Sequence, residues 1–222
     1  MIIVKTRRIL NVLENPPKVR ERMNCTFSWT KICISTNQCI CLVPTAALCI
    51  LSEKIGGSKM EITNAPPSSI ASANVDEWRT KYVRTATLEF NRDRKSMSVL
   101  CQSVDKKDGN RLLVKGAPNL LIKRCTHVKF RDGTVQKLSG DLRRMIEAKT
   151  SELATRPLRC LALAVKETKH LDRTLKDHLP EESEGNGDAA RKHPLLSDQS
   201  KYADIESGLT LVGKIHHSHI LT

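Results

Sequence analysis

The stretch Leu88–Cys101, LEFNRDRKSMSVLC, decides how this chain is read. Leu88 and Phe90 occupy even positions, Met97 and Val99 odd ones, so the apolar alternation changes phase between them. A single strand cannot do that without turning its apolar set to water. The pattern therefore predicts two strands joined by a hairpin or bulge at Arg92-Asp93-Arg94-Lys95, with the charges gathered at the bend. The bend also has chemical meaning. An aromatic face stacks a flat heterocycle, arginine grips phosphate oxygens through paired hydrogen bonds, and lysine adds a point charge. The competing reading is a core phenylalanine beside a solvated charged turn.

Further along, VDKKDGNRLL (104–113) carries an Asp108-Gly109 turn that leads into a strand at Leu112–Val114. Lys115-Gly116-Ala117-Pro118 follows. Gly116 is expected to let the backbone turn sharply, and Pro118 suits the first turn of a short helix running to about Cys125. VKFRDGTVQKL (128–138) reads as a second Asp-Gly hairpin. Ser139 caps a helix with Leu142, Met145, Ile146, Lys149 and Leu153 on or near one face. LRCLALAVKE (158–167) reads as a buried strand and LTLVGKI (209–215) as a short closing one. From Thr168 to about Ser207 the chain is polar, and EESEGNGDAARKH (181–193) has the most disorder-like composition. HHSHILT (216–222) reads as a frayed tail.

On the N-terminal side, residues 1–43 show no sustained period. Pro44 opens a helical pattern with Leu48, Leu51 and Ile55, which Gly56-Gly57 closes. Residues 58–74, with Pro66-Pro67, read as an exposed loop. A short helix over Val75–Val83 is expected to bury Trp78 and Tyr82 at i, i+4 spacing. Together the elements indicate an α+β domain with a mainly antiparallel sheet flanked by helices.

Composition narrows the function classes. The 222 residues suit one domain plus tails. The net charge is +13, but the basic residues are spread along the chain without a concentrated stripe. Such a balance suits nucleic acid, an anionic membrane or a phosphate-bearing ligand, and because only net charge speaks for nucleic acid it is not an expected partner. Five of the eight cysteines fall between Cys25 and Cys49, with no paired C-x2-C and no histidine among them, so zinc is not expected. A reducing, cytosol-facing setting with free thiols follows. The opening MIIVKTRRIL lacks the apolar core and cleavage site of a signal peptide. The uncharged run Ile32–Ser52 approaches the length of a membrane span, but Ser35-Thr36-Asn37-Gln38 and Pro44 interrupt it. It reads as a loop followed by a buried helix, with no span. Neither G-x-x-x-x-G-K-[ST] nor G-x-G-x-x-G is present.

TLEFNRDRKSMSVLC (87–101), LLVKGAPNLLIKRCTHV (112–128) and LRCLALAVKE (158–167) together resemble the nucleotide-binding (N) domain of P-type ATPases, most closely calcium pumps of the sarco/endoplasmic-reticulum type. PTAALCILSEKIGG (44–57) and GLTLVG (208–213) fit the same family in the same order. The resemblance makes residues 44–213 the N domain, 1–43 a divergent N-terminal segment and 214–222 a divergent tail, with the sheet incomplete at its N-terminal side. It implies that Phe90 stacks on adenine and that Arg92 reaches the phosphates. Lys95 and Lys115 line the pocket, Gly116 forms its floor and Arg159 contacts the phosphate or ribose side. Thr45 is a weaker candidate. ATP is the implied ligand, with Mg2+ bound in the parent pump and no Mg2+ site in this chain. The implied partners are the phosphorylation and actuator domains of a parent pump in the endoplasmic reticulum or a related endomembrane.

The sequence also departs from the family. Pro44-Thr45-Ala46-Ala47-Leu48 is one residue shorter than the family's P-T-E-A-A-L and lacks its glutamate near the adenine. The D-K-T-G-T, T-G-E-S and G-D-G-x-N-D motifs are absent, and Lys214 stands where the family continues towards D-P-P-R. The chain is therefore expected to be a fragment that binds ATP weakly and does not hydrolyse it. The alternative is a non-functional or regulatory remnant that acts only through protein contacts and binds no nucleotide.

Overall fold

The computed structural model describes residues 2–5, 73–105, 109–155, 158–176 and 192–218. The helical pattern expected after Pro44, the uncharged run Ile32–Ser52 and Thr45 lie outside them.

Helix α1 (Ala73–Lys81) leads directly into strand β2 (Tyr82–Asn91), and a turn at 92–95 returns the chain as β3 (Ser96–Ser103). The hairpin predicted from the phase change is thus present. Strand β4 (Asn110–Gly116), helix α2 (Pro118–Arg124), β5 (Cys125–Lys129) and β6 (Val135–Lys137) follow. Helix α3 (Gly140–Ala154), β7 (Leu158–Lys166), the short helices α4 (Arg173–Lys176) and α5 (Tyr202–Ile205), and β8 (Leu209–Ser218) come next. The sheet order is β2-β3-β4-β7-β8-β5-β6, with β1 (Ile2–Lys5) also paired to β8. Pairing is antiparallel except at β8, beside which β5 and β1 run parallel. This is the α+β class and the mainly antiparallel sheet that the sequence indicates.

The local chemistry accounts for the joints. Gly133, in the Asp-Gly turn between β5 and β6, and Gly109, at the start of the chain leading into β4, take positive φ (90° and 63°), a region open to glycine without a Cβ penalty; Asp108 lies outside the described residues. Ser139 accepts the amide of Leu142 at 3.3 Å, capping α3 as its sequence predicts. Pro118 opens α2, where its missing N–H costs nothing.

One face of the sheet carries Ala86, Leu88, Leu100, Leu112, Val114, Ala162, Ala164 and Leu211, on which Leu121, Ile122 and Ile146 of α2 and α3 pack. Fully burying such a side chain is worth about 1.5–3 kcal/mol. Strand β3 is buried at every position, so both its faces are covered.

Four expectations need correction. Helix α1 ends at Lys81, so Tyr82 begins a strand. The Trp78 and Tyr82 rings do meet, 5.7 Å apart, but both residues are only half-buried. Met145 is exposed, because the buried stripe of α3 runs through Ile146 and Leu153. The polar stretch after Thr168 supplies Leu171, Leu175, Leu196, Tyr202 and Ile205 to the core, so its sparse apolar residues include several that are placed inward. Strand β8 runs to Ser218 in the middle of the sheet, so the expected frayed tail begins as paired backbone.

Candidate functional site

The bend between β2 and β3 brings together Phe90, Arg92, Lys95, Lys115 and Gly116 of the expected site residues. Leu88 pairs with Ser98 and Asn91 with Ser96, leaving Glu89 and Phe90 together opposite Met97. Two residues against one make a β-bulge, which re-aims side chains next to it. Leu88 stays fully buried while Phe90 is 48% exposed. The core-phenylalanine reading therefore fails at Phe90, whose ring is available for stacking.

Arg92, Asp93 and Lys95 are exposed around the turn. Asn91 organises it: its side-chain oxygen accepts the Asp93 amide at 2.7 Å, and its carbonyl accepts the Lys95 amide at 2.8 Å. Lys95 adopts φ 47°, the left-handed region in which a residue with a Cβ is strained.

Strand β4 ends beside this bend, Lys115 pairing with Met97 and Gly116 with Ser96. Lys115 is buried (6% exposed), in contrast to Lys95. The chain passes from strand to helix between Gly116 and Pro118, and Gly116 does so without a positive φ. It is needed for close approach: a Cβ there would lie 2.7 Å from the Lys95 carbonyl oxygen. That carbonyl accepts the Ala117 amide at 2.9 Å, tying the bend to the start of α2. On the far side of β4, Lys115 pairs with Leu163 and Gly116 with Ala162 of β7, and Arg159 lies in the same strand, three residues towards its start. The structure thus brings Phe90, Arg92, Lys95, Lys115 and Gly116 to one end of three adjacent strands. It places Arg159 at the corresponding end of the fourth, β7.

Beneath the bend lies a cluster that the sequence reading missed. Glu206, fully buried, receives Arg94 Nη1 and Ser98 Oγ (2.8 Å) on Oε1. Arg124 Nη1 (2.6 Å) and Ser96 Oγ (2.5 Å) donate to Oε2. Arg94 Nη2 also donates to the Glu89 carbonyl at 2.5 Å, and Arg124 Nη2 to the Arg94 carbonyl at 2.8 Å. The Arg94 guanidinium lies 5.1 Å from the Tyr202 ring centroid. The available signal was Tyr202 and Ile205 at helical spacing just before an apolar strand, a helical turn ending in an acid.

A cleft at the opposite end of the sheet, lined by Lys166, His170, Asp172, Lys201 and Asp204 among others, contains none of the expected site residues. Among the described residues no group of three His, Cys, Asp or Glu side chains is gathered for a metal. None of their helices is long and apolar enough to cross a membrane.

The family model described as "P-type ATPase, cytoplasmic domain N" matches residues 44–215. The chain is 38% identical over 184 residues to "Calcium-transporting ATPase 2, endoplasmic reticulum-type" of Arabidopsis thaliana, covering 78% of this chain and 16% of the relative. It is 33% identical over 178 residues to "Probable calcium-transporting ATPase" of Trypanosoma brucei brucei, covering 76% and 14%. It is 31% identical over 188 residues to "Endoplasmic reticulum calcium ATPase srcA" of Aspergillus fumigatus, covering 81% and 17%. The chain thus spans about a sixth of the length of these relatives. It belongs to the P-type ATPase family, as a cytoplasmic N domain, the domain through which these proteins bind nucleotide.

Proposed function

We propose that this chain binds ATP at the β2–β3 bend and serves as the nucleotide-binding part of an endoplasmic-reticulum-type calcium pump. The observation that carries the reading is Phe90: the bulge exposes an aromatic ring beside two exposed cations and a glycine-tight strand end. In this reading the Phe90 ring stacks on adenine, Arg92 and Lys95 hold the phosphates, Lys115 and Gly116 form the inner wall, and Arg159 reaches the phosphate or ribose side. Thr45 is a weaker candidate in this reading. Mg2+ travels with the phosphates and is bound in the parent pump.

These residues contain no aspartate in a D-K-T-G-T context. The reading therefore gives phosphoryl transfer to a phosphorylation domain that receives the nucleotide from this one. The names of the relatives support calcium as the transported ion, and their endoplasmic-reticulum labels support the location.

Titration of the purified chain with ATP tests the proposal. Saturable binding is expected, and Phe90→Ala is expected to weaken it by roughly 5- to 150-fold, the equivalent of 1–3 kcal/mol of stacking. Arg92→Ala is expected to weaken ATP more than adenosine. Phosphate release by the chain alone is expected to stay at background. No saturable ATP binding would favour the remnant that acts through protein contacts, a reading supported by the missing glutamate between Thr45 and Ala46.

A further inference from the structure

We propose that Glu206 is the positioning residue of the nucleotide site: a buried carboxylate that clamps the bend through Arg94 and Arg124 and so sets where Phe90, Arg92 and Lys95 stand. This rests on the nucleotide-binding reading above. The clamp and the site occupy opposite faces of one hairpin. Ser96 and Ser98 point with Leu100 to the helix-covered side, whereas Met97 and its partner Lys115 belong to the other.

Both arginines of the clamp reach back to the backbone of the bend or its flank. Arg94 is the one cation of the bend turned inward, with 8% of its side chain exposed. It bridges Glu206 to the carbonyl of Glu89, the residue before Phe90. Arg124 bridges Glu206 to the carbonyl of Arg94, the residue before Lys95. Lys95 is held at its strained φ between these anchors and the Ala117 amide. A strained residue persists only where its surroundings over-determine it. Glu206 is the common acceptor on which both arginines and both serines converge.

Charge supplies a way to tell positioning from simple attraction. Two guanidinium groups face one carboxylate, which leaves one positive charge in excess under the bend. Glu206→Gln raises that excess. If the cluster acted on ATP only through its field, the substitution would tighten binding. If the cluster positions the bend, the substitution weakens binding, because two arginines lose their shared acceptor and Glu89 and Lys95 lose their anchors.

The test is ATP affinity by calorimetry below the unfolding temperature, with amide exchange at Lys95 and Ala117 followed by NMR. Wild type, Glu206→Gln and Arg94→Lys are compared. Arg94→Lys keeps the charge but cannot span Glu206 and Glu89 together, and it decides the matter if Glu206→Gln does not fold. The expected result is ATP affinity lowered about tenfold or more, with faster exchange at both amides. A purely structural role would lower the melting temperature without moving the affinity of the folded protein. Unchanged or tighter ATP binding by the folded variants overturns the positioning role alone. Absence of binding by the wild type overturns the nucleotide reading and this inference with it.

Discussion

A Cβ built on Gly116 would lie 2.7 Å from the Lys95 carbonyl oxygen and 2.9 Å from Ser96 Cβ, and neither is the far end of a flexible side chain. Gly116→Ala must therefore push β3 and the bend away from β4. Overpacking of this kind costs roughly 1–3 kcal/mol, so denaturant unfolding should detect it, with nucleotide affinity falling in parallel. Lys95 offers the opposite combination. Its φ of 47° is one that a residue with a Cβ adopts at a cost of roughly 1–2 kcal/mol, and glycine adopts it freely. Lys95→Gly should leave the fold as stable or more stable while weakening ATP binding through loss of the charge. Urea unfolding and calorimetry on the same variant would show whether stability and affinity part in this way.

At the scale of elements, α3 rests on a lysine. Lys214 of β8 is fully buried, and its Nζ donates to the Ile146 carbonyl at 2.9 Å and to Thr150 Oγ1. Burial pushes its ammonium down to about 8 from the ordinary 10.5. The unfolded chain then binds more protons than the folded one above pH 8, so this group makes stability rise with pH from about 8 towards 10.5. Buried cysteines oppose it higher up: Cys125, pushed up by burial to about 12, stays protonated when folded but ionises from about 9 when unfolded. A rise confined to about pH 8–9 is expected, and Lys214→Met should abolish it; thermal melts of both proteins across that interval would decide. The cap of the same helix is separable, since Ser139→Ala should cost about 1 kcal/mol at any pH.

The same scale explains what was legible in the sequence. The β2–β3 bend, the Asp132-Gly133 turn and the Ser139 cap are each determined by a few adjacent residues, and all are readable in the sequence. Phe90 was named as a site residue, but its exposure depends on a bulge that alternation alone does not place. Glu206 was hidden because its partners are far away in sequence, 112 residues for Arg94 and 82 for Arg124. No local pattern encodes such a meeting. The stretch around it looked like polar loop because its few apolar residues are spaced by the needs of packing, not by a strand or helix period.

For the molecule as a whole, ligand binding and stability are linked. Free ATP at a hundred times its Kd should add about 2.7 kcal/mol to the unfolding free energy, and about half of that for a Phe90→Ala protein that binds tenfold more weakly. A melting-temperature series against ATP tests this on the intact chain without locating the site. The charge of +13 adds a second expectation: affinity should fall as salt rises, because exposed Arg92 and Lys95 are screened over about 8–10 Å at physiological ionic strength.

Strand β8 follows all of its partners in sequence order, yet β7 takes one of its edges and β5 and β1 the other. During synthesis all of these strands leave the ribosome before β8, and β2, β3, β4 and β7 can already assemble as one antiparallel unit. The β5–β6 hairpin must wait beside it with an open edge until β8 emerges and is inserted between the two. Until then the nascent chain also exposes the two strand edges that β8 will pair, on β7 and β5, so proteases and chaperones should engage it most in that interval.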